Sequence, residues 1–250
     1  MNLYGPTPTA NDIAYNKEEW NRPVPKEDGI IDGKRYWNCT RNNVTYKIGF
    51  GENAFGNYFT YIFGPENQMI EHVMRYLTPT DTSVVDCGSS HGSWTLPFLC
   101  SGHPVYSFEL EPVAFHEMMG HIRLNSDIIN PTHINCYNFG LYSNDMRGDF
   151  YDMKNLHFRR LDDVLQEVND CKFYKLDVEG AELEVMKGGT EFLKRNEPSM
   201  WIECHEIFNK GIKERVITYI KELGFKNFTI REFDLGVKGC KYLLVAKDTN

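Results

Sequence analysis

The chain has 250 residues, of which 41% are hydrophobic and 25% charged, values that are typical of a globular protein with one large core. Its formal net charge of −8 argues against a nucleic-acid partner, because binding to a phosphate backbone requires a basic surface. No apolar run is long enough to span a bilayer, and the polar N-terminus lacks the apolar core of a signal peptide.

Seven cysteines are scattered along the chain without a C-x-x-C pair. Several fall inside apolar strand patterns, which is typical of buried free thiols rather than of disulfides or a zinc site. We therefore expect a soluble protein in a reducing, cytoplasmic compartment. The pattern carries no signal for an oligomeric state.

The N-terminal quarter differs in character from the rest. Residues 1–33 are rich in proline, asparagine, glycine and charge and predict an arm with little core. Residues 36–40 and 44–48 are β-rich runs around an asparagine-rich turn, and they predict a hairpin. The aromatic segment 49–64 is interpreted as a loop packed on the main domain, with a sugar-stacking platform as the alternative. The first 64 residues are thus expected to form an extension to the main domain, which starts at Pro65.

The rest of the chain alternates between strand and helix patterns. The expected strands are 84–88, 105–109, 133–139, 172–177 and 199–205. The expected helices are 65–77, one from about 92, 112–125, one from Leu161, 181–187 and 211–223. This alternation indicates an α/β, Rossmann-like fold with a doubly wound, mostly parallel sheet, a polar connection around Gly148 and a small N-terminal β extension. The last two runs, 228–230 and 242–246, have no helix between them and predict an antiparallel C-terminal hairpin.

The first strand of the alternation ends in a glycine-bounded loop, residues 86–92. In an open α/β sheet, such a loop and an acid after the next strand, here Glu109, hold a nucleoside. A dinucleotide fold needs a second glycine two residues after the first, so that the backbone can approach a pyrophosphate. The residue two after Gly88 is Ser90. The loop therefore favours S-adenosylmethionine (SAM), a nucleoside without a phosphate.

The loop and its neighbours supply the predicted cofactor ligands. Gly88 permits the tight turn, and N–H groups near Gly92 are placed to hold the carboxylate of SAM at the positive end of a helix. Glu109 is placed to accept from both ribose hydroxyls. Asp86 would receive the ammonium or order the loop as a buried acid, and Asn138 would contact adenine or form a turn. The complete predicted set is Asp86, Gly88, Ser89, Ser90, His91, Gly92, Glu109 and Asn138.

Polar residues also end the fourth and fifth strands. Asp177 ends the fourth, and Glu203 and His205 alternate onto one face of the fifth. Methyl transfer to a hydroxyl requires in-line positioning and a base near neutral pH, so these three are the predicted catalytic residues, with His205 as the base. Two alternatives stay open: the same three residues hold a divalent cation such as Mg²⁺, or they form a polar cluster without an ion. Glu111 and Glu182 are interpreted as helix-capping acids.

Four segments together resemble the FkbM-type SAM-dependent methyltransferases: VVDCGSSHG, FELEP…RLN, LDDVL, and KLDVEGAELEVMKGG followed by MWIECHE. The resemblance covers residues 65–250, and the run 175–189 is its most specific part. It implies a seven-strand class I methyltransferase fold, SAM as the methyl donor, and O-methylation of a sugar, a glycan or another small hydroxylated acceptor. The residues that match the family motifs by position are Asp86, Gly88, Gly92, Glu109, Asp177, Glu179 and Glu203.

Two other classes of function remain as alternatives. A nicotinamide-dependent oxidoreductase shares the sheet, but the missing second glycine argues against it. A non-catalytic partner protein shares the fold, but it would not need the acids and the histidine at the strand ends. The sequence does not identify the methyl acceptor.

Overall fold

The computed structural model describes residues 27–31, 34–50, 66–77, 82–150 and 153–247. These residues form three sheets and seven α-helices. The strands are β1 (Gly29–Ile31), β2 (Lys34–Arg41), β3 (Val44–Phe50), β4 (Ser83–Cys87), β5 (Val105–Phe108), β6 (Ile134–Tyr137), β7 (Gly140–Leu141), β8 (Met146–Phe150), β9 (Met153–Arg159), β10 (Cys171–Leu176), β11 (Ser199–His205), β12 (Phe228–Phe233) and β13 (Cys240–Lys247). The helices are α1 (Asn67–Tyr76), α2 (Thr95–Cys100), α3 (Pro112–Leu124), α4 (Leu161–Val164), α5 (Glu182–Gly188), α6 (Thr190–Asn196) and α7 (Ile212–Glu222). Within the described ranges, no helix has both the length and the apolar content that a membrane crossing requires.

The central sheet has seven strands in the order β12-β13-β11-β10-β4-β5-β6. The strands from β11 to β6 run parallel, and β13 is antiparallel to both β11 and β12. The predicted doubly wound sheet and its antiparallel C-terminal hairpin are therefore confirmed. The chain moves outward from β4 to β6 and then returns to β10 on the other side of β4. The strand order thus switches between β4 and β10, where open α/β sheets bind their ligands at the carboxyl ends of the strands.

Both faces of the central sheet are covered. All five residues of β4 and all seven of β11 are buried, as expected for parallel strands packed on both sides. Phe173 and Tyr174, consecutive residues of β10, lie in two different hydrophobic cores, because successive side chains of a strand point to opposite faces. Because both faces are packed with apolar side chains, the polar side chains of the central strands can cluster only at the strand ends.

The predicted N-terminal hairpin is confirmed as β2 and β3. Its turn residues, Asn42 and Asn43, have φ angles of 43° and 64°, which suit the tight turn of a hairpin. The buried face of the hairpin joins the same core as α1 and α2 through Trp37, Cys39, Tyr46 and Ile48. Asn125, at the end of α3, pairs with the backbone of Lys47 through two hydrogen bonds of 2.7 Å. The arm predicted for residues 1–33 lies mostly outside the described residues, as does the aromatic segment from residue 51 onward.

Three details of the fold differ from the predictions. The polar connection around Gly148 forms a separate three-stranded sheet, in the order β7-β9-β8, which the pattern missed because polar residues predominate in this segment and no residue of β9 is fully buried. A further helix, α6, follows the glycines that were expected to end α5. Gly188 is required for packing, since a Cβ there would lie 2.0 Å from the carbonyl oxygen of Tyr142. The helix expected from about residue 92 begins at Thr95, after a series of turns.

The position of Gly88 gives a test of how tightly the first loop packs on β10. Gly88 has φ +77°, and a Cβ there would lie 1.7 Å from the carbonyl oxygen of Asp177. We expect Gly88→Ala to lower the free energy of unfolding by more than about 3 kcal/mol, because backbone strain and a backbone collision act together. Urea unfolding measures the loss.

Gly224 offers the matched control. It has φ +74°, and a Cβ added there would meet no atom of the described residues within 4 Å. Gly224→Ala should therefore lose only the cost of the left-handed conformation, about 1–2 kcal/mol. Equal losses in the two variants would contradict the tight packing of the loop.

Candidate active site

The loop Gly88–Gly92 is tied to the strands on both sides of β4. The N–H of Gly88 donates to the carbonyl oxygen of Phe108 at 2.9 Å, and the N–H of Asp177 donates to the carbonyl oxygen of Cys87 at 3.0 Å. The loop therefore lies at the carboxyl ends of β4, β5 and β10, beside the switch in strand order. This is the place that the sequence predicted for the cofactor loop.

Three residues of the loop take left-handed backbone conformations. Gly88, Ser90 and Gly92 have φ angles of 77°, 48° and 88°, so the serine at the middle position adopts a conformation that glycine usually supplies. The N–H of Gly92 donates to the carbonyl oxygen of Ser89 at 2.8 Å. The N–H of Gly92 itself is therefore engaged within the loop.

Asp86 is fully buried beneath the loop. Its Oδ2 accepts from the hydroxyl of Thr95 at 2.7 Å, and its Oδ1 lies 3.4 Å from Nζ of Lys175. Oδ2 is thus hydrogen-bonded inside the protein, whereas Oδ1 faces the ammonium of Lys175 without a hydrogen bond among the described residues. This geometry favours the alternative interpretation, a buried acid that orders the loop, over direct contact with the ammonium of a ligand.

The ammonium of Lys175 joins the loop to β10. Nζ donates to the carbonyl oxygen of Gly88 at 2.5 Å and lies 3.3 Å from Oδ2 of Asp177. Burial by itself lowers the pKa of Lys175, but the carboxylates of Asp177, Asp86 and Glu66 outweigh it and raise the pKa above its ordinary value. Lys175 is therefore a permanent buried cation, a role that the sequence did not assign to it.

Glu109, the predicted ribose ligand, is buried against the loop. Its Oε2 accepts from the N–H of Ser90 at 2.6 Å and its Oε1 from the N–H of Glu111 at 2.7 Å. Burial raises the pKa of this carboxyl. A carboxylate has about four acceptor positions, so two remain for a ligand. Glu111 accepts from the N–H groups of Val113 and Ala114 at the start of α3, which confirms its interpretation as a helix cap.

The other predicted cofactor residues divide into two groups. His91 Nδ1 lies 2.8 Å from Oε2 of Glu117 on α3, and the amide of Asn138 donates to the carbonyl oxygen of Glu109 at 2.8 Å. These two side chains hold the scaffold together. Ser89 is buried, and its hydroxyl has no hydrogen-bond partner among the described residues, so it has bonding capacity for a ligand.

The three predicted catalytic residues meet at the carboxyl ends of β10 and β11. His205 Nε2 lies 3.6 Å from Oδ1 of Asp177 and 3.5 Å from Oε1 of Glu203. Glu203 also accepts from the hydroxyl of Tyr242 at 2.9 Å. An acid–acid–imidazole group therefore lies beside the loop, as the strand pattern predicted.

The protonation of this group differs from that of a base poised at neutral pH. Burial lowers the pKa of His205, but the hydrogen bond to Glu182 and the charges of Asp177 and Glu203 raise it to about 9. Burial, together with the charges of Asp177 and Glu66, raises the pKa of Glu203 to about 8. At neutral pH the imidazole is thus charged, and it has to lose its proton before it can accept one.

Two acids of the site were missed or misjudged in the sequence. Glu66, just before α1, accepts from the indole N–H of Trp94 at 3.2 Å and from that of Trp201, and burial raises its pKa. Glu182 is completely buried and lies 2.8 Å from His205 Nδ1. No local pattern marks Glu66. The signal for Glu182 was its place within the most specific of the family motifs.

The arrangement gives little support to a divalent cation. Within the described ranges, two sets of side chains have donor atoms close enough to share an ion: Glu203 with His205 and Cys240, and Glu66 with Asp177 and Glu203. Neither is the predicted set. Burial raises the pKa of Cys240 to about 12, so its sulfur is a protonated thiol, and Mg²⁺ prefers oxygen ligands. The carboxylate of Asp177 already lies 3.3 Å from Nζ of Lys175.

Two open grooves lie away from the carboxyl ends of the central strands. One, of about 500 Å³, is lined by residues at the amino ends of the central strands, among them Ser83, Tyr106 and Asn135. The other, of about 280 Å³, lies between α5 and α7 and includes Lys187 and Glu214. Neither contains a residue of the loop or of the acid–imidazole group, so we assign the site from the side-chain chemistry.

Comparison with known proteins identifies the domain. A family model described as "Methyltransferase FkbM domain" matches residues 86–226, whereas no curated protein matches the sequence. The FkbM methyltransferase structure from Methylobacillus flagellatus KT is 17% identical with a TM-score of 0.56; the match covers 78% of this chain and 55% of that chain. The chain thus spans little more than half the length of that relative. At this identity the likeness shows the fold, and it agrees with the predicted seven-strand methyltransferase sheet.

Two further structures are more distant. An rRNA methylase from Streptococcus thermophilus is 16% identical, with a TM-score of 0.47 and coverage of 74% of this chain and 96% of that chain. The N-terminal domain of human METTL16, in complex with SAH, is 18% identical, with a TM-score of 0.45 and coverage of 74% and 70%. Similarity at this level carries no argument about the acceptor.

The raised pKa of His205 predicts a pH-dependent contribution to stability. Because the pKa in the folded protein, about 9, exceeds the ordinary value of 6.5, the contribution is complete below that ordinary value and disappears as the pH rises through about 9. Urea unfolding should therefore show His205→Gln to be less stable than wild type at mildly acidic pH, with the difference shrinking towards alkaline pH. His116→Gln, at an exposed histidine of α3, provides the control for the loss of an imidazole. A difference for His205→Gln that is constant with pH would contradict the assignment.

Proposed function

The chain belongs to the FkbM methyltransferase family, and from this premise we propose that it transfers a methyl group from SAM to a hydroxyl of a sugar, a glycan or another small hydroxylated acceptor. The observation that carries the proposal is the meeting of Asp177, Glu203 and His205 next to the loop Gly88–Gly92. A donor loop and a proton-accepting group lie side by side at the switch point of the sheet, where methyl donor and acceptor must come together.

The residues of the loop fit SAM as the donor. The buried hydroxyl of Ser89 has no partner among the described residues, and the carboxylate of Glu109 retains acceptor positions suited to the ribose hydroxyls. Gly88 packs too closely on Asp177 to carry a side chain. When bound, SAM supplies a methyl group that is already activated on a positively charged sulfonium. The protein therefore has to position the acceptor and remove its proton.

The charge of the site favours a cationic ligand. Two cations, Lys175 and His205, face a larger number of carboxyl groups around the strand ends: Glu66, Asp86, Asp177, Glu182 and Glu203. Even with a proton on Glu203, the carboxylates exceed the cations. This excess attracts the sulfonium and the ammonium of SAM and repels a pyrophosphate. It thereby argues against a nicotinamide-dependent oxidoreductase.

The imidazole of His205 is the group best placed to accept the hydroxyl proton of the acceptor. Its Nε2 faces Asp177 and Glu203, and both acids stabilise the imidazolium that forms. Once the imidazole has lost its proton, Nε2 would accept the hydroxyl proton of the acceptor, while bound SAM would supply the methyl group and leave as S-adenosylhomocysteine. The same acids repel phosphate groups, as does the net charge of −8. This supports an uncharged, hydroxylated acceptor over a nucleic acid.

Two other features bear on the proposal. A partner protein that kept only the fold would have no use for a cluster of buried acids around a histidine, because buried charge destabilises a protein unless it is compensated. All seven cysteines are free, which supports the proposed reducing, cytoplasmic location.

Glu109 provides a test of the cofactor site. Glu109→Ala should weaken SAM binding by about 10- to 100-fold, because a hydrogen bond to a charged group contributes about 1.5–3 kcal/mol. Isothermal titration calorimetry measures the affinity. Glu111→Ala is the matched control, since it removes the cap of α3 and should lower stability by about 1 kcal/mol without changing the affinity for SAM. An unchanged affinity in Glu109→Ala would show that Glu109 does not hold the ribose.

The acceptor and the base are tested together. A screen of hydroxylated compounds with labelled SAM identifies an acceptor, and the wild-type kcat/KM should then rise with pH between about 8 and about 9, as Glu203 and His205 lose their protons. His205→Gln should lower kcat/KM by about 100-fold or more and abolish this rise. If His205→Gln keeps the wild-type profile, His205 is not the base.

A further inference from the structure

Glu182 has an environment that helix capping does not explain. It is the first residue of α5, and it is completely buried. Its Oε1 accepts from the N–H of Gly180 at 2.9 Å, and the same oxygen lies 2.8 Å from Nδ1 of His205. Glu184, two residues further along the helix, pairs instead with Lys187 at 2.7 Å on the partly exposed side. Only one of these two neighbouring acids thus contacts the site.

We propose that Glu182 is the positioning residue of the methyl transfer: it fixes the imidazole of His205 so that Nε2 faces the acceptor. This inference rests on the proposed function. A carboxylate oxygen that accepts from one N–H acts as an acceptor towards the imidazole as well, so Nδ1 is the donor. In the neutral ring the lone pair then lies on Nε2, as a general base requires.

The distances around the ring are unequal in a way that supports this role. The Nδ1 contact, 2.8 Å, has the length of a strong hydrogen bond, whereas Nε2 lies 3.6 Å from Asp177 and 3.5 Å from Glu203. Charge-assisted N–H···O bonds are usually about 2.7–2.9 Å long. The ring is therefore anchored on the Glu182 side and only loosely held on the side of the crevice, where an acceptor hydroxyl has to approach.

A second contact restricts rotation of the ring. Phe208 stacks on His205 with ring centroids 5.9 Å apart and an interplanar angle of 29°. The loop that carries Phe208 is tied to the turn before α5, because the amide of Asn209 donates to the carbonyl oxygen of Gly180 at 2.7 Å. Gly180 has φ +99°. One turn thus places both Glu182 and Phe208 against the imidazole.

Charged and titratable groups face His205 from the elements packed against it. They are Asp177 after β10, Glu182 on α5, Cys240 on β13, and Glu203 on β11 itself. Asp177 and Glu203 are also contacts of the crevice, so their removal would change the charge next to the acceptor. Glu182 contacts Nδ1, on the side of the ring that faces away from the crevice. Its removal therefore affects the orientation of the ring more than the groups that line the crevice.

Three variants test the proposal in the full-length protein. Glu182→Ala should lower kcat by about 10- to 100-fold, because a misplaced catalytic group reacts slowly. The KM for the acceptor should change less than about threefold, because the contacts that bind the acceptor in the ground state are not altered. Glu182→Gln keeps an oxygen that accepts both bonds and should recover most of the lost rate. Glu184→Gln is the matched control and should retain the wild-type kcat.

A spectroscopic measurement separates this inference from the proposed function. The ¹⁵N shifts of His205, recorded above its pKa of about 9, report which ring nitrogen carries the proton and require no methyl transfer. We expect a proton on Nδ1 in the wild type and in Glu182→Gln, and a mixture of tautomers in Glu182→Ala. A wild-type ring protonated on Nε2 overturns the inference, even if Glu182→Ala fails to fold. An unchanged kcat in a folded Glu182→Ala does so as well. A protein with the expected tautomers but no methyl transfer to any acceptor would instead refute the proposed function.

Discussion

The ammonium of Lys175 lies buried between the first loop and the end of β10, where the carbonyl oxygen of Gly88 and the carboxylates of Asp86 and Asp177 compensate its charge. Removing one partner from a buried ion pair typically destabilises a protein by about 3–5 kcal/mol, because the other charge is left uncompensated. Lys175 also connects the two strands between which the strand order switches. The shape of the crevice therefore depends on this one cation, which holds the loop of β4 against the end of β10.

The balance of charge explains the different roles of the two sides of the site, the side of the loop Gly88–Gly92 and the side of His205. Lys175 lies between Asp86 and Asp177 next to the loop, whereas Asp177, Glu182 and Glu203 all act on His205. These carboxylates help to raise the pKa of His205 to about 9, so the imidazole keeps its proton at neutral pH. A cationic ligand in the crevice would oppose that charge and favour release of the proton. Under the proposed function, binding of the methyl donor and activation of the base are therefore coupled through electrostatics.

The sequence predicted the parallel sheet well, because each of its strands is a short apolar run that ends in a polar residue. It also predicted that Asp177, Glu203 and His205 meet, since the carboxyl ends of neighbouring parallel strands lie together. It could not show that Glu182 turns inward, because an acid in the first turn of a helix has the same local pattern whether it faces solvent or the core. The ion pair of Lys175 was hidden for a similar reason, since burial of a side chain depends on distant segments. The sheet around β9 was missed because no residue of β9 is fully buried, so its polar and half-exposed residues give no strong apolar signal.

A crystal structure with S-adenosylhomocysteine tests most directly the proposed binding of the methyl donor at the carboxyl ends of β4 and β5. We predict that the ribose contacts Glu109, that the loop Gly88–Gly92 lies against the nucleoside, and that the sulfur faces the crevice between Asp177 and His205. Occupation of the groove at the amino ends of the strands, with the loop left unchanged, would contradict the account.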